Sequence, residues 1–535
     1  AGVRDFVDFR RRVPIRCYED FLPWIERMRQ GERNVLIAEP VRMFALTSGT
    51  SGVPKHCPIG SLFVREMHSQ HLLWLRAIVV DHPATAGGAY LSIVSPAESS
   101  RTVGGIPVGA ISGRHLLDQN PFIRWRQVVP YEVCAIKDYA ARYHAMLVFA
   151  LARPDLSVAM SVNPSTLVLL QQTLRQNAEA LLEDLAAGRL AGANGLLPEE
   201  RKALECRLRP QPRRAAFLRE KMRAAGALLP RHAWPNLALI ATWQGGSAPF
   251  YLSQLQDAWP DCPRRCLGLR ASEGIFSIPL ADNTACGVLA VGGHVMEFLP
   301  ADANVTPHAE TSGSHELEKG KRYRLIITTS AGFCRYDLAD IVEVAGFRHA
   351  APEIVFLHKA GNVLSITGEK VTENQVVLVM REVQRDFAEV KGFTVTLELI
   401  TPPRYVLAVE LADDCCHPQK DMADRLRQIL RAFERHLCRF NHEYAEKRAS
   451  GRLASPRLLR LACGTYLAYR AACVAAGRPD SQIKPPHLVQ PPGAGAAPVK
   501  GCHFFDRARV IDFCEMGEHR ADGFNSQEPF RSPPP

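Results

Sequence analysis

The chain has 535 residues, 65 Lys+Arg against 55 Asp+Glu for a net charge of +10, and 47% hydrophobic residues. These proportions exclude collagen, coiled-coil and generally disordered chains and leave a globular protein long enough for several cores. The mild positive balance suits small anions such as nucleotides; nucleic-acid binding needs the charge gathered on one face, and no nucleic-acid partner is expected.

In chain order, residues 1–135 alternate short apolar runs with turn signals, and Val35-Leu36-Ile37-Ala38 and Tyr90-Leu91-Ser92-Ile93-Val94 read as strands between helices. From about 163 to 225 the pattern turns helical, with Leu167, Leu170, Leu174 and Leu181, Leu182, Leu185 on apolar faces. Its end, Arg201 to Arg223, carries nine Lys/Arg against two Asp/Glu with only Phe217 interleaved, which suits a solvated helical face. Strands return at Leu237–Ala241, Gly287–Val291 and Tyr323–Thr329, between Gly- and Ser-rich loops of the kind that carry ligand chemistry in α/β proteins. After residue 357 the order is a short strand near Val363–Ile366, a helix capped by Thr372 with Gln375 three residues on, strands at Phe393–Ile400 and Tyr405–Leu411, one long helix from about Gln419 to Lys447, and a strand at Leu458–Leu461. That β-α-β-β-α-β order predicts a ferredoxin-like α+β unit. The expected organisation is therefore a large domain over 1–357, a small domain over 358–489, and a loosely ordered low-complexity tail over 490–535, which begins with Pro-Pro-Gly-Ala-Gly-Ala-Ala-Pro.

Fifteen scattered cysteines without repeated Cys-x-x-Cys pairs point to reduced thiols, and His436, Cys438 and His442 lack a second ligand pair for zinc. The longest apolar run, Ala145 to Ala152, is far short of a membrane span, and no membrane partner is expected. An opening without Met or a signal-peptide core suggests a cytoplasmic protein that lacks its natural N-terminus.

The most informative string is Leu46-Thr47-Ser48-Gly49-Thr50-Ser51-Gly52-Val53-Pro54-Lys55, which packs four hydroxyls, two glycines and a lysine into a turn after an apolar strand. Glycines let backbone N–H groups approach an anion, hydroxyls donate further bonds, and the lysine adds a point charge. It is not a Walker loop, because Pro54 precedes Lys55 and His56 follows. A second string, Leu269-Arg270-Ala271-Ser272-Glu273-Gly274, sets a carboxylate beside a hydroxyl, where a magnesium ion on phosphates takes an oxygen ligand. In a third, Arg335-Tyr336-Asp337-Leu338-Ala339-Asp340, the Asp340 carboxylate suits the two ribose hydroxyls. A fourth spans the domain boundary, with Lys359 and Gly361, followed by Thr367-Gly368-Glu369-Lys370-Val371-Thr372-Glu373. The last is Ser481-Gln482-Ile483-Lys484-Pro485-Pro486.

Taken together and in order, over about residues 6 to 488, these strings resemble the Gretchen Hagen auxin-responsive family of acyl-acid amido synthetases, a branch of the adenylate-forming enzymes. The stretches Val13-Pro14-Ile15-Arg16-Cys17-Tyr18-Glu19-Asp20, Asn163-Pro164-Ser165-Thr166-Leu167, Met296-Glu297-Phe298, Asn441-His442-Glu443-Tyr444 and Gly464-Thr465-Tyr466 belong to the resemblance. The Asn-Pro-Ser-Thr-Leu and Ala-Ser-Glu-Gly wording looks closest to bacterial members. The resemblance implies an α/β fold: a large N-terminal domain of β-sheets sandwiched by helices plus a small β-barrel, and a smaller, mobile C-terminal α+β domain. It also implies a ligase that uses ATP and Mg2+ to convert a small carboxylic acid to acyl-AMP with release of pyrophosphate, then passes the acyl group to an amine, usually an amino acid. Carried over, Thr47, Ser48, Gly49, Thr50, Ser51, Gly52 and Lys55 form the phosphate loop, and Ser272 and Glu273 the second nucleotide motif, with Glu273 the metal contact. Tyr336 is nucleotide-binding, Asp340 lies at the ribose, Lys359 at the hinge, and Lys484 is the catalytic cation.

Two departures stand out. The family's Tyr-Arg-x-Gly-Asp is here Tyr336-Asp337-Leu338-Ala339-Asp340, so Ala339 must accept backbone geometry often given to glycine. Lys359 stands where an arginine is common, and it loses the planar fork for bidentate phosphate binding. The acid pocket is placed around Ser95, Thr102, Ile106 and Tyr131. An adenylating enzyme that hands the acyl group to coenzyme A, or a catalytically silent binding protein, are the alternative readings.

Overall fold

A computed structural model describes residues 3–47, 55–245, 248–256, 258–360, 363–364, 369, 371–400, 402–412, 419–449, 453–480, 483–489 and 510–515. The chain divides into two compact units, one holding Ala1–Gly361 and Tyr469–Lys484, the other Asn362–Ala468 and Pro485–Ala496 with the last strand.

The first unit is organised around three main sheets. A parallel four-stranded sheet runs in the order Ala89–Ile93, Leu156–Ser161, Leu239–Ala241, Arg264–Arg265. Its strands are buried almost throughout, as parallel strands covered on both faces must be. Helix Ser61–Asp81 presents Phe63, Gln70, His71, Trp74 and Ile78 at helical spacing, so that one face is buried. Trp74 and Ile78 pack with Leu239, Ala241, Leu267 and Ile278, and the Trp74 indole N–H donates to the Cys266 carbonyl at 2.9 Å. A second, mixed sheet contains the antiparallel pair Met43–Thr47 and Lys55–Ile59, which ends on the pair Thr47↔Lys55. The third is a six-stranded antiparallel sheet with Tyr336–Arg348 and Ala351–Lys359 near its middle. The main apolar cluster joins the second and third sheets through Phe44, Ile59, Phe276, Phe298, Phe333 and Tyr336.

The helical expectation for 163–225 appears as helices Pro164–Gln176, Ala178–Ala187, Pro198–Glu205 and Pro212–Ala225. The strand expected at Val35–Ala38 is a run of bends instead. Asn34, held at φ 56°, and Pro40 bracket the segment and keep it from extending into a ladder.

In the second unit, Thr372 and Gln375 cap helix Glu373–Asp386 reciprocally, as the spacing predicts. The sheet order is Val390–Glu398, Arg404–Leu411, Arg457–Leu461, Val510–Glu515. Three expectations are corrected here. Among the described residues, the strand at Val363–Leu364 pairs with Val371–Thr372 in a separate ribbon and not with the sheet. The sheet's fourth member comes from the tail expected to be loosely ordered: its Val-Ile-Asp-Phe run is strand-forming, and it pairs antiparallel with the edge that Arg457–Leu461 offers. The expected single helix 419–447 is also two, Gln419–Phe440 and His442–Ala449. Asn441 interrupts it, accepting from the Tyr444 N–H at 2.9 Å and donating to Gln375 at 3.1 Å. That is the behaviour of an N-cap residue.

Candidate active site

Ligands of open α/β sheets bind beyond the carboxyl ends of the parallel strands. Four segments leave the parallel sheet at that edge: Ser95 after the first strand, Asn163 after the second, Trp243 after the third, and Leu269–Glu273 after the fourth. Ser272 and Glu273 form the turn of a two-residue hairpin in which Ala271 pairs with Gly274. Both are buried, at 6% and 5% exposure. The Cys57 thiol donates to the Ser272 carbonyl at 3.4 Å and ties this turn to the strand that carries Lys55.

The Lys55 ammonium lies 3.4 Å from the Tyr336 hydroxyl, 5.0 Å from the Tyr18 ring centre and 5.9 Å from that of Tyr336. Two aromatic faces thus hold the cation at the base of the hairpin. Tyr18 is fixed in turn by the His56 backbone, accepting from its N–H at 2.6 Å and donating to its carbonyl at 3.2 Å. Ser48, Gly49, Thr50, Ser51 and Gly52 lie outside the described residues, between the two strands that end on Thr47 and begin at Lys55.

Asp340, buried to 4% exposure, is paired in register with Lys359 on the neighbouring strand. Lys359 Nζ donates to Asp340 at 2.6 Å and to the Leu338 carbonyl at 3.0 Å. Burial by itself lowers a lysine, but Asp340, then Glu273 and Asp337, more than offset it and hold Lys359 above its ordinary value. Glu273 is pushed up by burial, against the opposing pull of Lys359 and Lys55. Lys55, Glu273, Tyr336, Asp340 and Lys359, from four separated stretches of sequence, thus share one electrostatic neighbourhood.

The two departures from the family's third motif are resolved together. Ala339 adopts φ 59°, the left-handed region that glycine would enter freely. Asp337 accepts from the Ala339 N–H at 2.9 Å and from Arg324 Nε and Nη2 at 2.8 and 2.6 Å, so its side chain braces the turn. Ala339→Gly is expected to stabilise the protein by up to ~1 kcal/mol, because the left-handed penalty of an L residue is removed. Denaturant titration checks it, and a lower midpoint would contradict it.

Lys484 lies 4.0 Å over the Trp243 ring centre, and the Trp243 indole donates to the Gly268 carbonyl at 3.0 Å, just before the second motif. Asn163 donates to the Ile483 carbonyl at 3.1 Å, and the Arg470–Asp480 pair bonds to Tyr143 and Thr166. The lysine therefore stands at the carboxyl edge of the parallel sheet.

The residues placed around an acid pocket form two local groupings. Ser95 is buried near Ala97, whose N–H donates to the Tyr131 hydroxyl at 2.7 Å. Thr102 and Ile106 close their own turn, and Ile106 lines a cavity of about 150 Å³ with Met28, Ile37 and Val41. Tyr18 lies in the Val13–Asp20 stretch without a role that its neighbours reveal, and Cys57 lies outside every motif; their partners are 37 and 215 residues away.

Burial holds His56, His115 and His294 down to about 4. They stay neutral in the fold while the unfolded chain protonates near 6.5. Between those values the unfolded state binds more protons, on the order of three from these groups, so stability should fall as pH drops from 6.5 toward 4. Denaturation midpoints across that range test this, and His294→Leu should flatten the slope.

The chain is 26% identical over 519 residues to an indole-3-acetic acid-amido synthetase, GH3.8, of Oryza sativa subsp. indica, covering 91% of this chain and 84% of that protein. It is 25% identical over 525 residues to the jasmonoyl–L-amino acid synthetase GH3.5 of Oryza sativa subsp. japonica, covering 92% and 88%. Among solved structures, the GH3.15 acyl acid amido synthetase superposes with a TM-score of 0.81 at 19% identity, over 96% of this chain and 90% of that one. A 2-hydroxyisobutyryl-CoA ligase in its postadenylation state shares the fold at a TM-score of 0.51 and 11% identity, over 91% and 82%. The GH3 family N-terminal, central and C-terminal domains match residues 1–264, 287–359 and 374–493 in order. With that span of matches, the chain belongs to the GH3 family.

Proposed function

We propose that the protein is an ATP-dependent acyl-acid amido synthetase. One carboxylate oxygen of the acid attacks the α-phosphorus of ATP, the bond to the bridging oxygen breaks, and pyrophosphate leaves. The amine of an amino acid then attacks the acyl carbonyl, loses a proton, and AMP departs with its phosphate oxygen.

The observation that carries this reading is the convergence of Lys55, Glu273, Asp340 and Lys359 beside the carboxyl edge of the parallel sheet. Asp340 accepts the ribose hydroxyls, and Lys359, already bonded to it, orients that carboxylate. Lys55 adds its charge to the phosphate loop Thr47–Gly52. Lys484 places a cation between the attacking carboxylate and the α-phosphate, two anions that otherwise repel. Glu273 fits a magnesium ion, since a buried carboxyl pushed up by desolvation regains its ionised form beside a cation. When bound with phosphate oxygens and water, Mg2+ would supply charge neutralisation to the polyphosphate.

AMP release measured with a panel of acids, first with amino acids and then with coenzyme A, tests the second half-reaction. Amino-acid-dependent release is expected. Release that needs coenzyme A and ignores every amino acid would overturn it.

A further inference from the structure

Helix Ser61–Asp81 turns His71 and Trp74 toward the strand Arg270–Ala271. The Arg270 guanidinium lies 5.3 Å from the Trp74 ring centre, and its Nη1 is 3.3 Å from His71 Nδ1. Arginine only donates, so Nδ1 of His71 accepts and the proton of that neutral ring sits on Nε2. The edge of His115 meets His71 with 4.3 Å between ring centres. Arg270 Nη2, His115 Nε2 and both polar atoms of the Gln70 amide are buried without a hydrogen-bond partner. Arg270 and His115, both in contact with His71, thus each leave a polar atom unsatisfied, where nearly all buried polar atoms in native proteins are paired.

The charge is unmatched as well. The fully buried arginines Arg265 and Arg335 have their carboxylates, Asp81 with Asp282 and Glu297 respectively. Arg270 forms no ion pair among the described residues. Asp118, the acidic group whose charge reaches His115, is already engaged by Arg114. Arg270 Nε donates to the Leu267 carbonyl at 2.5 Å, which leaves Nη2 free; a guanidinium withdrawn from water without a counter-ion is costly, and a ligand carboxylate that accepts from Nη2 lowers that cost.

Resting on the amido synthetase reading, we infer that Arg270, with His71 and His115, is the seat of a substrate carboxylate other than the one that is adenylated. Arg270 stands three residues before Glu273, in the same hairpin, so a group bound there belongs to a molecule in the reaction. The nucleotide's anions are phosphates with their own loop, and the other anions of the reaction are carboxylates. Two sources share that chemistry: the far end of a dicarboxylic acyl acid, and the α-carboxylate of the amino acid acceptor.

The test is equilibrium binding by calorimetry to the full chain and to Arg270→Met, which keeps an apolar stem over Trp74. Terephthalate is compared with benzoate for the acid, and L-leucine with L-leucinamide for the acceptor. The wild type should prefer the ligand with the extra carboxylate in one of the two pairs by at least tenfold, and Arg270→Met should erase that preference while ATP affinity stays within twofold. The pair that responds names the source. Should Arg270→Met fail to fold, His115→Leu serves, with a partial loss expected. Equal binding within both pairs by the wild type, or a preference that survives Arg270→Met, overturns the inference. Absence of acid-dependent chemistry alongside an intact carboxylate preference would instead remove the ligase reading and leave this site standing.

Discussion

Lys484→Ala is expected to lower acid-dependent exchange of pyrophosphate into ATP by about 10²–10³-fold while leaving ATP affinity within about twofold. The magnitude follows from what a preorganised charge contributes where charge develops, on the order of 3–4 kcal/mol, at ~1.4 kcal/mol per decade of rate. The selectivity follows from position. Lys484 rests on Trp243, beyond the end of the third parallel strand, apart from Asp340, Lys359 and Lys55, the proposed nucleotide contacts. A cation stacked on an indole gives up ~0.5–2 kcal/mol when it leaves, small beside its gain at a site of two anions. Lys484→Arg should retain part of the rate, since the charge survives but its reach and shape change. Normal exchange without Lys484 would show the assignment to be wrong.

Arg335→Met is expected to cost about 3–5 kcal/mol of stability, the largest effect anticipated for a single substitution away from the reacting groups. Arg335 and Glu297 are exposed by only 0% and 1% at the side chain. Besides Glu297, the guanidinium serves the carbonyls of Arg10 and Val13 and the hydroxyl of Thr311, which itself donates to Glu297 at 2.6 Å. Removing the cation strands a carboxylate in the core and frees two carbonyls at the chain's start. The double variant Arg335→Met, Glu297→Leu should recover much of the loss, since no unpaired charge then remains. Denaturant titration of the three variants checks this, and a loss under 1 kcal/mol for the single change would contradict it.

Residues whose chemistry is local in the chain were legible. Ser272–Glu273 and Tyr336–Asp340 carry their hydroxyls, carboxylates and turns within a few positions, and the Thr372–Gln375 cap shows itself by spacing alone. The strain at Ala339 was also readable, because a non-glycine residue stood in a turn that favours glycine. Residues whose role depends on distant partners were not legible. Asp337 looked like a lost arginine until Arg324, on the adjacent strand, was seen to hold it. Arg270 lies inside the second motif, but its unmatched charge appears only when helix Ser61–Asp81 is packed against it. The strand at Val510–Glu515 was hidden by the composition around it, since a strand's pairing depends on an edge offered by another part of the chain.

By the proposed function, these converging groups make an acyl-adenylate. Incubating the protein with ATP, Mg2+, labelled pyrophosphate and a panel of aryl and alkyl carboxylic acids measures it most directly. Label should enter ATP with at least one acid, stop when that acid is withheld, and need no amino acid. A protein that binds ATP but exchanges no label with any acid would contradict the account.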